Sequence, residues 1–203
     1  MCIRDSTLPA RRIVWHAKEW SEYVPVISSG WAAASITLAN GSRQILSFLL
    51  PGDVISTASL FGAVSGRSIE AITEVTYKKY RRDEISALLR NDPDFFERVA
   101  AAFTQERAHA DNLLVDLGRR MADARIARLI LYLAEALGKR NMIRSQTMPF
   151  PLRQRHIADA TGLTTNHVTK TLKQFQRLGL IEIRNRSLKI VNAAELGHVA
   201  AWR

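Results

Sequence analysis

The spacing of three small or apolar residues most constrains the fold of this chain: Ala158, Gly162 and Val168. A helix-turn-helix needs a small residue where its second helix crosses the first. It also needs a residue that tolerates a tight turn, and an apolar residue that closes the small core. The three residues meet these needs in chain order, at steps of four and six. The spacing therefore predicts a helix-turn-helix centred on residues 154–173.

The second helix of this motif is predicted to have two chemically different faces. Thr164 can cap its start by accepting a hydrogen bond from a backbone N–H one turn in. Val168, Leu172, Phe175 and Leu178 or Gly179 are predicted to point inward at helical spacing. The outward face carries polar and basic side chains, namely Thr165, Asn166, Thr169, Lys170 and Lys173.

Asn, Thr and Lys on one exposed helix face match the chemistry of the DNA major groove. Asn166 can form two hydrogen bonds with an adenine edge, and Lys170 can donate to guanine. Thr169 can place its methyl group against that of thymine. We therefore predict that these three residues read bases.

A short hairpin is predicted directly after the motif. Residues 181–191 alternate about an Asn185-Arg186 turn, which is typical of the wing of a winged helix. The tip of this hairpin is basic, and Arg153 and Lys173 are also placed to neutralise phosphates, which adds affinity without sequence information. The predicted DNA-binding residues are Arg153, Arg155, Thr164, Thr165, Asn166, Thr169, Lys170, Lys173 and Arg186.

The charge of the chain is divided unevenly. Its net charge is +10. Residues 1–117 hold 13 Lys+Arg against 14 Asp+Glu, a net of −1, whereas residues 118–203 hold 16 against 5, a net of +11. Such an asymmetry favours a polyanion as the partner of the second half. The alternative is a basic surface that is merely solvated.

The first part of the chain is predicted to be β-structure, from about residue 13 to residue 80. Asn40-Gly41 between apolar stretches is a strong signal for a two-residue hairpin, and Pro51-Gly52 marks another turn. Residues 68–80 are rich in β-branched and aromatic side chains, as a strand pair would be. Several short strands with turn signals predict a small barrel or sandwich.

A long helix is predicted after Asp92-Pro93. Apolar or small residues recur in steps of three and four, with Glu106 as the polar member of the series, and Gly118 is predicted to end the helix. A helix of about seven turns is too long for a barrel of this size to cover alone, so we predict that it pairs with a second copy of the chain. The predicted dimer interface consists of Phe96, Val99, Phe103, Ala110, Leu113 and Leu117.

The sequence shows none of the usual patterns of a catalytic or metal site. Its five histidines are scattered, without metal-ligand spacing, and it has no phosphate-cradling glycine loop or nucleophile elbow. Cys2 is the only cysteine, which excludes an internal disulfide and a cysteine-ligated iron–sulfur cluster. No apolar run approaches the ~20 residues that cross a bilayer. We expect no enzymatic activity, no cofactor, no membrane segment and a cytoplasmic location.

Together these features resemble the Crp/Fnr superfamily of bacterial transcription regulators. Residues 41–53 (GSRQILSFLLPGD) look like its hairpin and Pro-Gly-Asp turn, and residues 153–172 (RQRHIADATGLTTNHVTKTL) look like its helix-turn-helix. The resemblance implies an α+β fold. A cyclic-nucleotide-binding-like, jelly-roll-like β-roll would span residues 7–92, a dimerisation helix residues 93–117 and a winged helix-turn-helix residues 118–203. It also implies a homodimer that senses a signal through the roll, binds two-fold-symmetric double-stranded DNA and contacts RNA polymerase.

Several residues depart from the pattern of that superfamily. Many members carry Glu-x-x-Ser-Arg on the recognition helix, where this chain has Asn166, Thr169 and Lys170, so we do not expect the commonest operator. Cyclic-AMP binders carry a Gly-Glu pair before an Arg-Ser pair. Here Arg67-Ser68 matches only the second pair, and Arg67 is expected to be a surface or strand-end residue. Since strand-like sequence starts almost at once, the roll is also expected to be truncated at its N-terminus.

A second class of function is a small-molecule sensor that acts mainly through protein contacts. In this alternative Trp15, Trp20 and Trp31 line a ligand pocket in the β-roll, although aromatic side chains in such a fold more often belong to the core. A gel shift at increasing salt separates the two classes, because only the regulator binds DNA.

Overall fold

The computed structural model describes residues 4–201. These residues form two compact units, which divide between Asp111 and Asn112. Each unit has its own buried apolar side chains. Among the described residues, no helix combines the length and the apolar character that a membrane span requires.

The first unit is built on two antiparallel sheets. One sheet contains β1 (Arg4–Leu8), β3 (Tyr23–Ser29) and β7 (Val75–Arg81), in the order β1-β7-β3. The other contains β2 (Ile13–Trp15), β4 (Ala32–Thr37), β5 (Arg43–Leu49) and β6 (Ser68–Ala71), in the order β2-β6-β4-β5. The expected β-roll is therefore present, and its first strand begins before residue 7.

The structure contains turns at both dipeptides that predicted them in this unit, Asn40-Gly41 and Pro51-Gly52. Gly41 has a φ of +82° in the loop between β4 and β5, where the Leu38 amide donates to the Ser42 carbonyl at 2.8 Å. The loop is longer than the predicted two residues, because β4 ends at Thr37 and β5 begins at Arg43. Gly52 has a φ of +95° and donates to the Ile27 carbonyl at 2.8 Å, which confirms the Pro51-Gly52 turn.

The core of the roll contains side chains from both sheets. Trp15 and Trp31 are 5% and 3% exposed, so both belong to the interior of the unit. Trp20 is instead 56% exposed and stacks with Arg82, whose guanidinium carbon lies 4.8 Å from the ring centroid. The three tryptophans therefore do not line one shared pocket.

Two helices end the β-rich part of the chain. The first, α1 (Arg82–Asn91), was not predicted, because its sequence follows β7 without a glycine or proline. The second, α2 (Pro93–Arg119), begins at the predicted proline. The prediction that Gly118 ends α2 is wrong: Gly118 lies within the helix and does not adopt a positive φ.

The helix α2 places one face against the first unit. Val99 and Phe103 pack against a buried cluster that includes Val24 and Leu60, and the ring centroid of Phe103 lies 5.5 Å from that of Phe61. Part of the regular apolar series on α2 thus contacts its own chain.

The second unit combines helices with a small sheet. Its helices are α3 (Ala122–Gly138), α4 (Gln154–Thr161), α5 (Thr165–Arg177) and α6 (Ala193–Ala201). Its strands are β8 (Thr147–Pro149), β9 (Ile181–Arg184) and β10 (Ser187–Ile190), in the order β8-β10-β9. Helix α3 packs against α6 and buries Ile126, Ile130 and Leu133. This arrangement is the predicted winged helix-turn-helix.

Candidate nucleic-acid interface

The turn between α4 and α5 depends on Gly162. Its φ is +66°, and its amide donates to the carbonyl of Ala158, so it forms the left-handed cap of α4. A Cβ atom at this position would lie 2.9 Å from Cδ2 of Leu117. The positive φ therefore favours glycine, which explains the central residue of the motif spacing, and a larger residue would also have to displace the end of the Leu117 side chain.

The start of α5 is capped as predicted. The Oγ1 atom of Thr164 accepts a hydrogen bond of 3.2 Å from the backbone N–H of His167. This bond satisfies one of the amides that have no partner within the first turn of a helix. Thr164 therefore fixes the residue at which the recognition helix begins.

The two predicted faces are present within α5, but the predicted inward position at Leu178 or Gly179 is wrong, because both residues follow the helix and are exposed. Val168, Leu172 and Phe175 are buried, as is Thr171. The exposed residues of the predicted DNA-binding set on this helix are Thr165, Asn166, Lys170 and Lys173. Asn166 and Lys170 are one helical turn apart, so they lie side by side on the exposed face.

Thr169 differs from the other predicted base readers because it is half-buried. Its Oγ1 atom lies 2.7 Å from Oε1 of Gln154 and 2.8 Å from the backbone carbonyl oxygen of Thr165. The hydroxyl group is thus engaged by the protein. Gln154 was not predicted as part of the site, because only the crossing of α4 and α5 brings it to Thr169.

A polar contact that the sequence did not reveal holds α5 against α3. The Oγ1 atom of Thr171 donates a hydrogen bond of 2.6 Å to Oδ1 of Asp123. The Nε2 atom of His167 lies 3.6 Å from the same oxygen. Asp123 therefore fixes the recognition helix from the side opposite to its exposed face.

The start of α4 presents two of the predicted basic residues. Arg153 and Arg155 are exposed, and Arg153 directly precedes the helix. The backbone N–H of Arg153 donates to Nδ1 of His156 at 3.2 Å, and His156 is 5% exposed. The buried imidazole thus caps α4 and is not placed to contact a ligand.

The wing turns at the predicted dipeptide. Asn185 and Arg186 have φ values of +48° and +60°, the left-handed pair of a type I′ turn. Glycine usually occupies the second position, so an exposed arginine there keeps a positive charge at the tip of the wing. The carbonyl of Arg186 accepts a bond of 2.7 Å from the amide of Phe150, which ties the tip to the segment after β8.

An open recess of about 350 Å³ lies between α5, the start of α4 and the wing. Its rim carries Gln154, Thr169, Lys173 and Arg186, while Phe150, Leu172 and Ile183 contribute apolar lining. The predicted phosphate-binding cations at the wing and on α5 therefore border one concave surface. No group of three or more His, Cys, Asp or Glu side chains within residues 4–201 is arranged to bind a metal ion.

The first unit contains one ion pair that bears on ligand binding. Arg67 immediately precedes β6 and donates through Nη1 to Oε1 of Glu106 on α2, at 2.5 Å. Both side chains are about one-third exposed. The guanidinium that could match the phosphate-binding arginine of cyclic-AMP binders is therefore paired with a carboxylate of its own chain.

The predicted dimer residues do not share one environment. Val99 and Phe103 are half-buried within the first unit. Leu113 and Leu117 are half-buried within the second unit, where Cδ2 of Leu117 would lie 2.9 Å from a Cβ atom at Gly162. Phe96 and Ala110 are exposed. The most exposed large apolar side chains on α2 are Leu114, Phe96 and Val115, at 69%, 55% and 48%.

Two family models match the chain. The cyclic nucleotide-binding domain matches residues 6–92, and the Crp-like helix-turn-helix domain matches residues 124–199. The two matches cover the β-roll and the winged helix-turn-helix described above.

Known regulators are similar to this chain. It is 31% identical over 167 residues to the nitrogen fixation regulation protein FixK of Bradyrhizobium diazoefficiens, which covers 81% of this chain and 68% of FixK. It is 28% identical over 183 residues to the transcriptional activatory protein AadR of Rhodopseudomonas palustris, which covers 90% and 75% of the two chains. The structure of FixK2 from Bradyrhizobium japonicum has the same fold, with a TM-score of 0.87, 24% identity and complete coverage of both chains.

Proposed function

The chain belongs to the Crp/Fnr superfamily of DNA-binding transcription regulators, and we propose that it reads its operator through Asn166, Thr169 and Lys170 on α5. The observation that carries this proposal is the exposed polar face of α5, opposite a buried face formed by Val168, Leu172 and Phe175 together with Thr171. The relatives are named as a regulator of nitrogen fixation and as a transcriptional activator.

Asn166 and Lys170 supply hydrogen bonds to base edges. The Asn166 amide can pair with the N6 and N7 groups of adenine, and the Lys170 ammonium can donate to the O6 and N7 atoms of guanine. Both side chains are exposed and one turn apart, so they can address neighbouring base pairs from one helix. Many members of the superfamily carry a glutamate and an arginine at these two positions. Asn166 and Lys170 therefore favour a different half-site.

The remaining predicted residues supply affinity. Lys173 and Arg186 border the recess beside α5, while Arg153 and Arg155 flank the start of α4. Such cations neutralise phosphates and release counterions, so each contributes to the dependence of binding on salt. Thr164 and Thr165 at the start of α5 can donate their hydroxyl groups to phosphate oxygens.

Crp/Fnr regulators act as dimers, and we place the contact of this chain along α2. Phe96, Leu114 and Val115 leave large apolar side chains exposed on that helix, and burying them against a second copy removes this surface from water. Two copies present two recognition helices, which matches two half-sites one turn of DNA apart, roughly 34 Å. Of the interface predicted from sequence, Phe96 and Ala110 are exposed enough to take part directly.

The roll is proposed to receive a signal other than a cyclic nucleotide held as in cyclic-AMP binders. Arg67 already pairs with Glu106, so a ligand phosphate would have to displace a carboxylate from that guanidinium. No Gly-Glu pair precedes Arg67-Ser68 to hold a ribose. We further propose that the dimer works in the cytoplasm and contacts RNA polymerase when bound to DNA.

Selection from random double-stranded DNA tests the proposed function directly. The full chain should enrich a two-fold-symmetric sequence, and its affinity for that sequence should fall steeply between ~50 and ~200 mM salt. A gel shift with the enriched duplex and with a scrambled duplex of equal length measures the ratio of specific to non-specific binding. If no sequence is enriched at ~50 mM salt, the proposed function fails.

A further inference from the structure

The hydroxyl group of Thr169 is turned toward the protein. Its single proton is shared between Oε1 of Gln154 at 2.7 Å and the carbonyl oxygen of Thr165 at 2.8 Å. To donate to a base, the hydroxyl would have to give up both contacts. The part of the side chain that has no hydrogen-bonding role is the γ-methyl group.

We propose that Gln154 is a positioning residue that sets operator specificity by holding Thr169 in the rotamer that offers its methyl group to thymine. The inference rests on the proposed function, in which Thr169 faces the major groove. It assigns a role to a residue outside the predicted reading surface. That role is to select which chemistry Thr169 presents to the base, without requiring that Gln154 touch the base itself.

The need for a second acceptor follows from the behaviour of threonine in helices. A helical threonine divides between two χ1 rotamers, because its hydroxyl can bond to the carbonyl three or four residues earlier. The bond to Thr165, four residues earlier, therefore does not by itself hold one rotamer. The amide oxygen of Gln154 adds an acceptor on the side of α4, and this favours the rotamer that points the hydroxyl there.

The location of Gln154 suits this role. It is the first residue of α4, it is exposed, and it borders the same recess as Thr169 and Lys173. A bound DNA strand at this recess would exclude water from the Gln154–Thr169 pair, and hydrogen bonds strengthen when water is excluded. The rotamer is therefore held most firmly in the complex, where it matters for base reading.

A methyl contact has a signature that hydrogen bonding lacks. Thymine and uracil present the same hydrogen-bonding groups in the major groove and differ only in the C5 methyl. Burying one such group is worth about a fourfold change in affinity. Replacement of a single dT by dU in the selected operator should therefore weaken binding of the wild-type chain about fourfold at one position in each half-site.

The experiment measures this dT-to-dU ratio at every thymine of the selected operator for a set of variants. Thr169→Ser removes the methyl and should bring the ratio to about one, whereas Thr169→Val keeps a methyl and should retain the ratio. Gln154→Ala should also bring the ratio to about one, with an unchanged salt slope. Gln154→Glu should keep the ratio, because its carboxylate still accepts from Thr169, while its charge weakens binding to all duplexes.

Gln174→Ala is the matched control, because it removes the same amide from an exposed position of α5 and should leave the ratio unchanged. A ratio that survives in Gln154→Ala overturns the role of Gln154. A wild-type chain that binds its operator specifically but tolerates dU at every thymine overturns the methyl contact and leaves the proposed function standing. Loss of all sequence-specific binding in the wild-type chain overturns both.

Discussion

Thr171 of the recognition helix α5 donates a 2.6 Å hydrogen bond to Asp123 in the first turn of α3, and Thr171 is 2% exposed. The bond joins two helices across 48 residues of sequence. The Asp123 carboxylate therefore contacts α5 on its inner side, away from Asn166 and Lys170. The stability of the reading surface and its chemistry are therefore carried by different residues.

Replacing Thr171 by valine should destabilise the second unit. Valine has nearly the same shape, so the loss is that of a part-buried hydrogen bond to a charged group, about 1.5 kcal/mol of unfolding free energy. Denaturant unfolding measures it. Thr104→Val on the exposed side of α2, where the hydroxyl bonds only to the Ala100 carbonyl, should change stability by less than about 0.5 kcal/mol. Equal stability of the two variants would show that the Asp123 contact does not support the fold.

Two glycine substitutions in the same unit should have opposite effects. Gly162→Ala introduces a Cβ 2.9 Å from Leu117 at a positive φ, so it should destabilise by more than about 1 kcal/mol. Gly197 lies inside α6 with nothing within 4 Å of its added Cβ, and Gly197→Ala should stabilise by about 0.5–1 kcal/mol. Thermal unfolding followed by circular dichroism reports both signs. A neutral Gly162→Ala would mean that the turn between α4 and α5 relaxes without cost.

Two lysines of α5 should differ in what they contribute to DNA binding. Lys170→Ala should cost about 1–3 kcal/mol for the preferred base at one position and relax the preference there. Lys173→Ala should weaken binding to all sequences alike and reduce the salt slope by about one. Binding to an operator library at several salt concentrations separates the two effects. Identical profiles for the two variants would refute this division of roles.

A charge among the exposed apolar side chains of α2, which are Phe96, Leu114 and Val115, should prevent dimer formation. Leu114 is 69% exposed, and Leu114→Glu would place an unpaired carboxylate in the proposed interface, which costs several kcal/mol when the dimer buries it. Sedimentation velocity should then show monomers. Leu38→Glu is the control, because Leu38 is 59% exposed in the loop between β4 and β5 and not on α2. A dimer that withstands Leu114→Glu would place the contact elsewhere.

The elements that the sequence predicted well are those defined by local signals. Gly52 and Gly162 mark turns because their positive φ values favour glycine, and Pro93 begins α2 because proline fits the first turn of a helix. Helix α1 was missed because its start carries no comparable signal. Gly118 was misread because glycine is only unfavourable inside a helix and not forbidden there.

By itself the sequence determined the winged helix-turn-helix, the β-roll and the candidate base readers, since spacing and alternation are properties of short segments. Only the tertiary structure decided which atoms those segments bring together. It paired Arg67 with Glu106, turned part of the α2 series against its own chain, anchored Thr171 on Asp123 and engaged the hydroxyl of Thr169 with Gln154. The reason is physical: such contacts join residues at least 15 positions apart. They depend on how helices cross and strands pair, which the order of residue types within each segment does not encode.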